Sequence, residues 1–173
     1  GGPAASNQVS GSFSITPVND APSFSQLSSG VVRTAEDTAA EISFQALANA
    51  SNASDIDGQV NAYVVKSLTS GSLRLGSTAQ LATAWAAGSN DVINSGIKAF
   101  WTPAADANGN GLNAFTVVAR DNGGLESAAP ALPVTVDVTP VADLAKITGF
   151  TLPANGTYGA GDTLRFAISF DRA

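Results

Sequence analysis

The 173-residue sequence contains no cysteine, no histidine and no methionine. An imidazole base, a thiolate nucleophile and a zinc site built on nitrogen or sulfur are therefore excluded. Disulfides are excluded too, so a small secreted domain of this composition needs another staple, and bound metal is one. Charge is sparse, at 13% of residues against roughly 25% in an average globular protein. Only eight residues are Lys or Arg, and they form no cluster, so the positive footprint that a nucleic-acid backbone requires is missing. No run approaches the ~18 continuous apolar residues of a spanning helix, which argues against membrane insertion. Residues 1–10, GGPAASNQVS, lack a starting Met, a basic flank and an apolar signal core, and the chain reads as an excerpt of something longer.

What is present is apolar and hydroxyl-rich: 44% hydrophobic residues, with Ala, Ser, Thr, Gly and Asn filling the space that charge leaves. Such a chain can bury a core beneath a neutral surface. Fourteen acids against eight bases give a net charge of -6, and eleven of the acids are Asp. Asp is the short carboxylate that turns and oxygen-ligand cation sites prefer, which makes Ca²⁺ the cation to expect.

A short repeat organises the chain: residues 14–20, SITPVND, recur as residues 137–143, DVTPVAD. In each copy an alternating strand runs into a proline, as a last strand does when it leaves a domain through a stiff linker. Three regions follow: residues 1–20 as the last strand and linker of a preceding repeat, 21–138 as one full domain, and 139–173 as a linker with the first two strands of a following domain. Within the full unit the apolar period is two, punctuated by Gly, Asn, Asp and Pro, which predicts an all-β, Ig-like sandwich of about seven strands. The expected strands are Val31–Arg33, Glu41–Leu47, Ala62–Thr69, Ser72–Leu75, Lys98–Thr102, Leu112–Arg120 and Leu132–Val138. Leu81 and Trp85, four apart in an Ala-rich run, predict one short helix within Thr78–Ala87. Ile147–Leu152 and Thr163–Phe170 read as a hairpin whose apolar face two strands alone cannot bury.

The densest acidic motif is Asp55-Ile56-Asp57-Gly58. Carboxylates ~5 Å apart repel by about 3 kcal/mol at an effective dielectric near 20, and a divalent cation reverses that sign. A solvated turn in which Asp supplies Asx hydrogen bonds is the competing reading of this motif alone.

The motif has company. Residues 55–64, DIDGQVNAYV, resemble the DxD segment of cadherin repeats; residues 115–127, FTVVARDNGGLES, resemble their F-strand and its A-x-D-x-G end; and residues 17–24, PVNDAPSF, resemble the linker of tandem bacterial cadherin-like repeats. Residues 101–109, WTPAADANG, are similar to a further segment of those repeats, which build very long, RTX-type surface adhesins. The resemblance covers about residues 14–143. It implies a cadherin-like sandwich with calcium at its N-terminal end, held by Asn19 and Asp20 from the linker, Asp55 and Asp57, Asp121, and the main-chain carbonyl of Asn61. It also implies an opposite-end site using Glu36 and Asp143, although Ala142 stands where the first linker has Asn19. Pro17 occupies the place of the acid that opens the animal linker, which implies fewer ions per junction.

Other constellations are weaker. Asp106-Ala-Asn108-Gly-Asn110-Gly111 matches half of an EF-hand loop, but its twelfth position is Val117, so a hairpin turn is the better reading. Glu36, Glu41 and Glu126 show no glycosidase-like pairing, and no enzymatic activity is expected. Trp85, Trp101 and Tyr63 could stack on a sugar, but their positions favour packing in the core. The resulting expectation is a Ca²⁺-rigidified spacer of a bacterial cell-surface adhesin, extracellular and serving adhesion or biofilm formation, with neighbouring repeats of the same chain as its partners. The alternative is a module that binds a glycan or a protein on the target surface. A monomer is expected, with a strand-exchange dimer through residues 163–170 as a variant.

Overall fold

The computed structural model describes residues 1–4, 7 and 10–171. Two sheets face one another. The first has the order β1 (Val32–Ala35), β9 (Leu132–Thr139), β8 (Gly109–Asp121), β3 (Val60–Leu68) and β6 (Val92–Asn94). The second runs β2 (Ala40–Ile42), β7 (Lys98–Thr102), β4 (Ser72–Gly76) and β5 (Thr83–Ala84). All pairings are antiparallel except β1 with β9, which run parallel with Val32 opposite Val136 and Ala35 opposite Thr139. The protein is an all-β sandwich with one short helix.

Alternation places one set of side chains between the sheets. Trp101, Tyr63 and Phe115 are fully buried there with Ile42, Leu47, Leu75, Ile93, Val65, Val117, Val134 and Val136. The polar tips of the large aromatics are satisfied: the Trp101 indole N–H donates to the Ser70 carbonyl at 2.7 Å, and the Tyr63 hydroxyl lies 2.7 Å from Ser51 Oγ. The Trp101 site also requires Gly71, whose φ is +66° and where a Cβ would lie 2.1 Å from the Thr102 carbonyl oxygen. The chain enters the core at Phe24, edge-on to Tyr63 at 5.7 Å, just beyond the bridge between Ser23 and Ser54.

The helix lies elsewhere than the sequence pattern predicts. The expected strand Glu41–Leu47 stops at Ile42, and α1 follows at Phe44–Ala50. Ser43 caps it by accepting from the Ala46 N–H at 3.1 Å, Gln45 bonds Asn49 at 2.7 Å, and Phe44, Leu47 and Ala48 share the core-facing side. The expected helix in Thr78–Ala87 is instead a set of turns around the edge strand β5. The backbone N–H of Trp85 bonds the Leu73 carbonyl, and Asn90 Nδ2 donates to the carbonyls of Thr83 and Ala84, so tertiary pairing overrides the Ala-rich local preference. Trp85 still packs against the core, but Leu81 is exposed.

Beyond the sandwich, β10 (Ile147–Thr151) and β11 (Ala167–Phe170) form an antiparallel hairpin in which Phe150 stacks on Phe166 at 6.3 Å. Leu164, Phe166, Ile168 and Phe170 are all exposed. No helix among the described residues is long and apolar enough to cross a membrane.

Candidate functional site

The acids concentrate at the two ends of the sandwich. At the N-terminal end, Val60 at the start of β3 pairs with Asp121 at the end of β8, which sets the Asp55–Gly58 loop beside the loop after β8. Asn122 fastens the two together: its N–H donates to the Gln59 carbonyl at 3.0 Å, and its Oδ1 accepts from the Gln59 N–H at 2.8 Å. Asp121 is 1% exposed and accepts from the Leu125 N–H at 2.8 Å and from Asn19 Nδ2 at 2.7 Å. Burial pushes its carboxyl upward, but Asn19 and the backbone donors of Leu125, Gly124 and Gly123 together outweigh that and hold it below the usual carboxylate range.

Asp55 Oδ1 accepts from the N–H groups of Asp57 and Gly58, each at 3.1 Å, as in an Asx turn. Its Oδ2 is buried without a hydrogen-bond partner among the described residues. Asp57 accepts from the Asp20 N–H at 3.2 and 3.4 Å, which lays the Asn19–Asp20 segment across the loop. Two glycines allow this closeness: a Cβ on Gly58 would come within 2.5 Å of Asn122 Oδ1, and one on Gly123 within 2.5 Å of the Asn19 amide. Asn61 is the extra residue of a bulge between β3 and β8, exposed, and no hydrogen bond among the described residues ties its side chain to the others.

At the C-terminal end, Glu36 follows β1, and its N–H donates to Thr139, where the parallel partner β9 ends. Glu36 is 5% exposed, with Oε1 accepting from the Val141 N–H at 2.6 Å and Oε2 from Asn108 Nδ2 at 3.0 Å. Beside it, Asp37, Asp106 and Asp143 each offer a carboxylate oxygen, all within 4.8 Å of one another and all exposed. Asp37 and Asp106 both sit at φ 58°, a backbone conformation that non-glycine residues rarely hold. Lys146 lines the same open cleft.

The expected residues are thus sorted by the fold. Asn19, Asp20, Asp55, Asp57 and Asp121 meet at one end, linked by hydrogen bonds, while Glu36 and Asp143 lie at the other. Among the described residues only Asp37, Asp106 and Asp143 converge as three acids within 4.8 Å. The sequence reading passes over Asp37 and Asn122 and treats Asp106 as a turn residue. It is in a turn, since β8 begins at Gly109, but that turn brings its carboxylate to Asp37 and Asp143. The adjacent acids Glu36-Asp37 and the motif Asp106-x-Asn108-Gly109 were the available signals.

The chain matches no protein-family model, no curated protein and no solved structure. Its chemistry rests on its own residues. The donors at both ends are hard oxygens with no nitrogen or sulfur ligand among them, a set suited to Ca²⁺ rather than to zinc or copper. The unpartnered Asp55 Oδ2 and the three facing carboxylates are what an oxygen-ligated cation would satisfy. Sugar stacking on Tyr63 or Trp101 is sterically closed, because both rings are fully buried.

Proposed function

We propose that the chain is a calcium-rigidified spacer repeat of a large, extracellular bacterial surface adhesin. The observation that carries this reading is the position of the linkers: each lies on an acid-bearing end of the sandwich, through Asn19 and Asp20 at one end and Val141 at the other. Asp37, Asp106 and Asp143 would hold a cation at the C-terminal end, and Asp55 and Asp57 with the linker residues Asn19 and Asp20 at the N-terminal end. Bound calcium supplies the positive charge that removes repulsion among these carboxylates and joins linker to loop. Neighbouring repeats of the same chain then align, and the adhesin gains reach and stiffness.

Extracellular calcium modules bind at ~10⁻⁴ to 10⁻³ M, so the sites fill outside the cell and empty inside it. Ligand at ~100-fold above Kd adds about 2.7 kcal/mol to the folded state, which for a domain of this size raises Tm by on the order of 5–15 °C. Thermal melts in EGTA and in millimolar Ca²⁺ test the reading: an upward shift is expected, and superimposable melts would count against it.

A further inference from the structure

Among the described residues two carboxylates are almost completely buried, Asp121 and Glu36, and neither takes part in an ion pair there. A buried carboxylate is costly unless N–H donors surround it, and such charge-assisted bonds are the strong ones. Each of these acids draws donors from two sources. One source is a loop of the sandwich itself: the Leu125 N–H for Asp121 and Asn108 Nδ2 for Glu36. The other is a linker: Asn19 Nδ2 at 2.7 Å for Asp121 and the Val141 N–H at 2.6 Å for Glu36. Just outside these points the chain is exposed. Among the described residues, 10–18 make no hydrogen bond, and 142–145 make none before the Lys146 N–H reaches Asp171.

We infer that Asp121 and Glu36 are metal-independent latches that strap the two linkers to the ends of the sandwich, so that the chain bends outside Asn19 and Val141 and not within the strapped segments. The arrangement rests on reading residues 17–20 and 140–143 as linkers. It alters how calcium acts, because the docked linker exists before the ion and the ion extends it. On the C-terminal side the extension is short, since Asp143 lies two residues beyond the Val141 latch.

The test is made in EGTA on the full chain, so its outcome is separate from whether calcium binds. Amide hydrogen exchange and ¹⁵N relaxation are measured for the parent, Asn19→Ala and Glu36→Ala. In the parent, Val141 is expected to exchange at least about tenfold more slowly than Ala142, the worth of one net hydrogen bond. Asn19 and Asp20 are expected to be more ordered than residues 10–16. Asn19→Ala, a change at an exposed linker position, should free residues 18 and 19, with the Asp20 N–H still on Asp57, while leaving Val141 protected. Glu36→Ala, which leaves no acceptor for the Val141 N–H, should bring Val141 to the rate of Ala142 while leaving residues 19–20 ordered. The inference is overturned if the parent linkers are already as mobile in EGTA as residues 10–16 and 142–145, or if neither substitution changes its own linker.

Discussion

The two ends of the sandwich use the same residue type in opposite ways. At the N-terminal end the acids are largely consumed by the protein: Asp121 by Asn19 and Leu125, Asp55 Oδ1 by two amides, Asp57 by the Asp20 N–H. At the C-terminal end Glu36 is consumed in the same manner, but the carboxylates of Asp37, Asp106 and Asp143 accept no hydrogen bond among the described residues and lie close together in solvent. A carboxylate filled by N–H donors is structural and contributes stability with or without metal. Carboxylates that crowd one another without N–H donors contribute repulsion until a cation arrives. Burial and hydrogen bonding thus divide one residue class: Asp121 and Glu36 are filled by N–H donors, while Asp55 Oδ2 and the three exposed carboxylates are left open.

The comparison breaks most visibly at Glu36. Glu36→Ala would strand the Val141 N–H and the Asn108 amide, and a loss of roughly 1–3 kcal/mol is expected in EGTA and in calcium alike, read from denaturant melts. Neutralising the exposed trio should do the reverse without metal. The combined variant Asp37→Asn, Asp106→Asn and Asp143→Asn is expected to gain from a few tenths to about 1 kcal/mol in EGTA, as repulsion is relieved, and to lose the calcium-dependent increment from that end. If the triple variant keeps the full calcium shift, the ion sits elsewhere.

The other end is sharpened by pH. Because the Asp121 carboxyl is held below its ordinary range, its contribution to stability is complete above the unfolded value and disappears as pH falls through the lower folded value. Asn19→Ala removes one of the groups holding it down, so the acid-induced loss should be complete at a higher pH and be smaller in total. A parent and variant with identical acid melts would show that Asn19 does not bear on Asp121. The smallest expected effect is at Gly58→Ala. The new methyl meets the movable end of Asn122, and the modest cost should fall on the fastening of Gln59 to Asn122 without altering the C-terminal end.

The fold was legible where side-chain alternation and burial agree, as in Ala62–Thr69 and Leu132–Val138, which correspond to β3 and β9 within a residue or two. It was misread where short apolar runs fit either period. Phe44–Ala50 contains good helix formers behind a serine cap, while Thr83–Ala84 became a strand only because β4 supplied a free edge. The N-terminal acids could be named because Asp55 and Asp57 are adjacent in sequence and Asp121 ends an obvious strand. Asp37, Asp106 and Asp143 each stand in a local motif, but nothing in the sequence joins the three. They meet because β1 pairs in parallel with β9 and the turn between β7 and β8 folds back beside them, a matter of topology that local spacing does not record.

The central claim, that these acids hold calcium, is tested most directly by calorimetric titration of the metal-stripped protein with Ca²⁺, run in parallel on Asp106→Asn. Saturable binding with Kd of ~10⁻⁴ to 10⁻³ M in the parent, and fewer sites or weaker binding in the variant, is the predicted result. No saturable heat from the parent, at calcium concentrations on the order of ten times that range, would contradict the account.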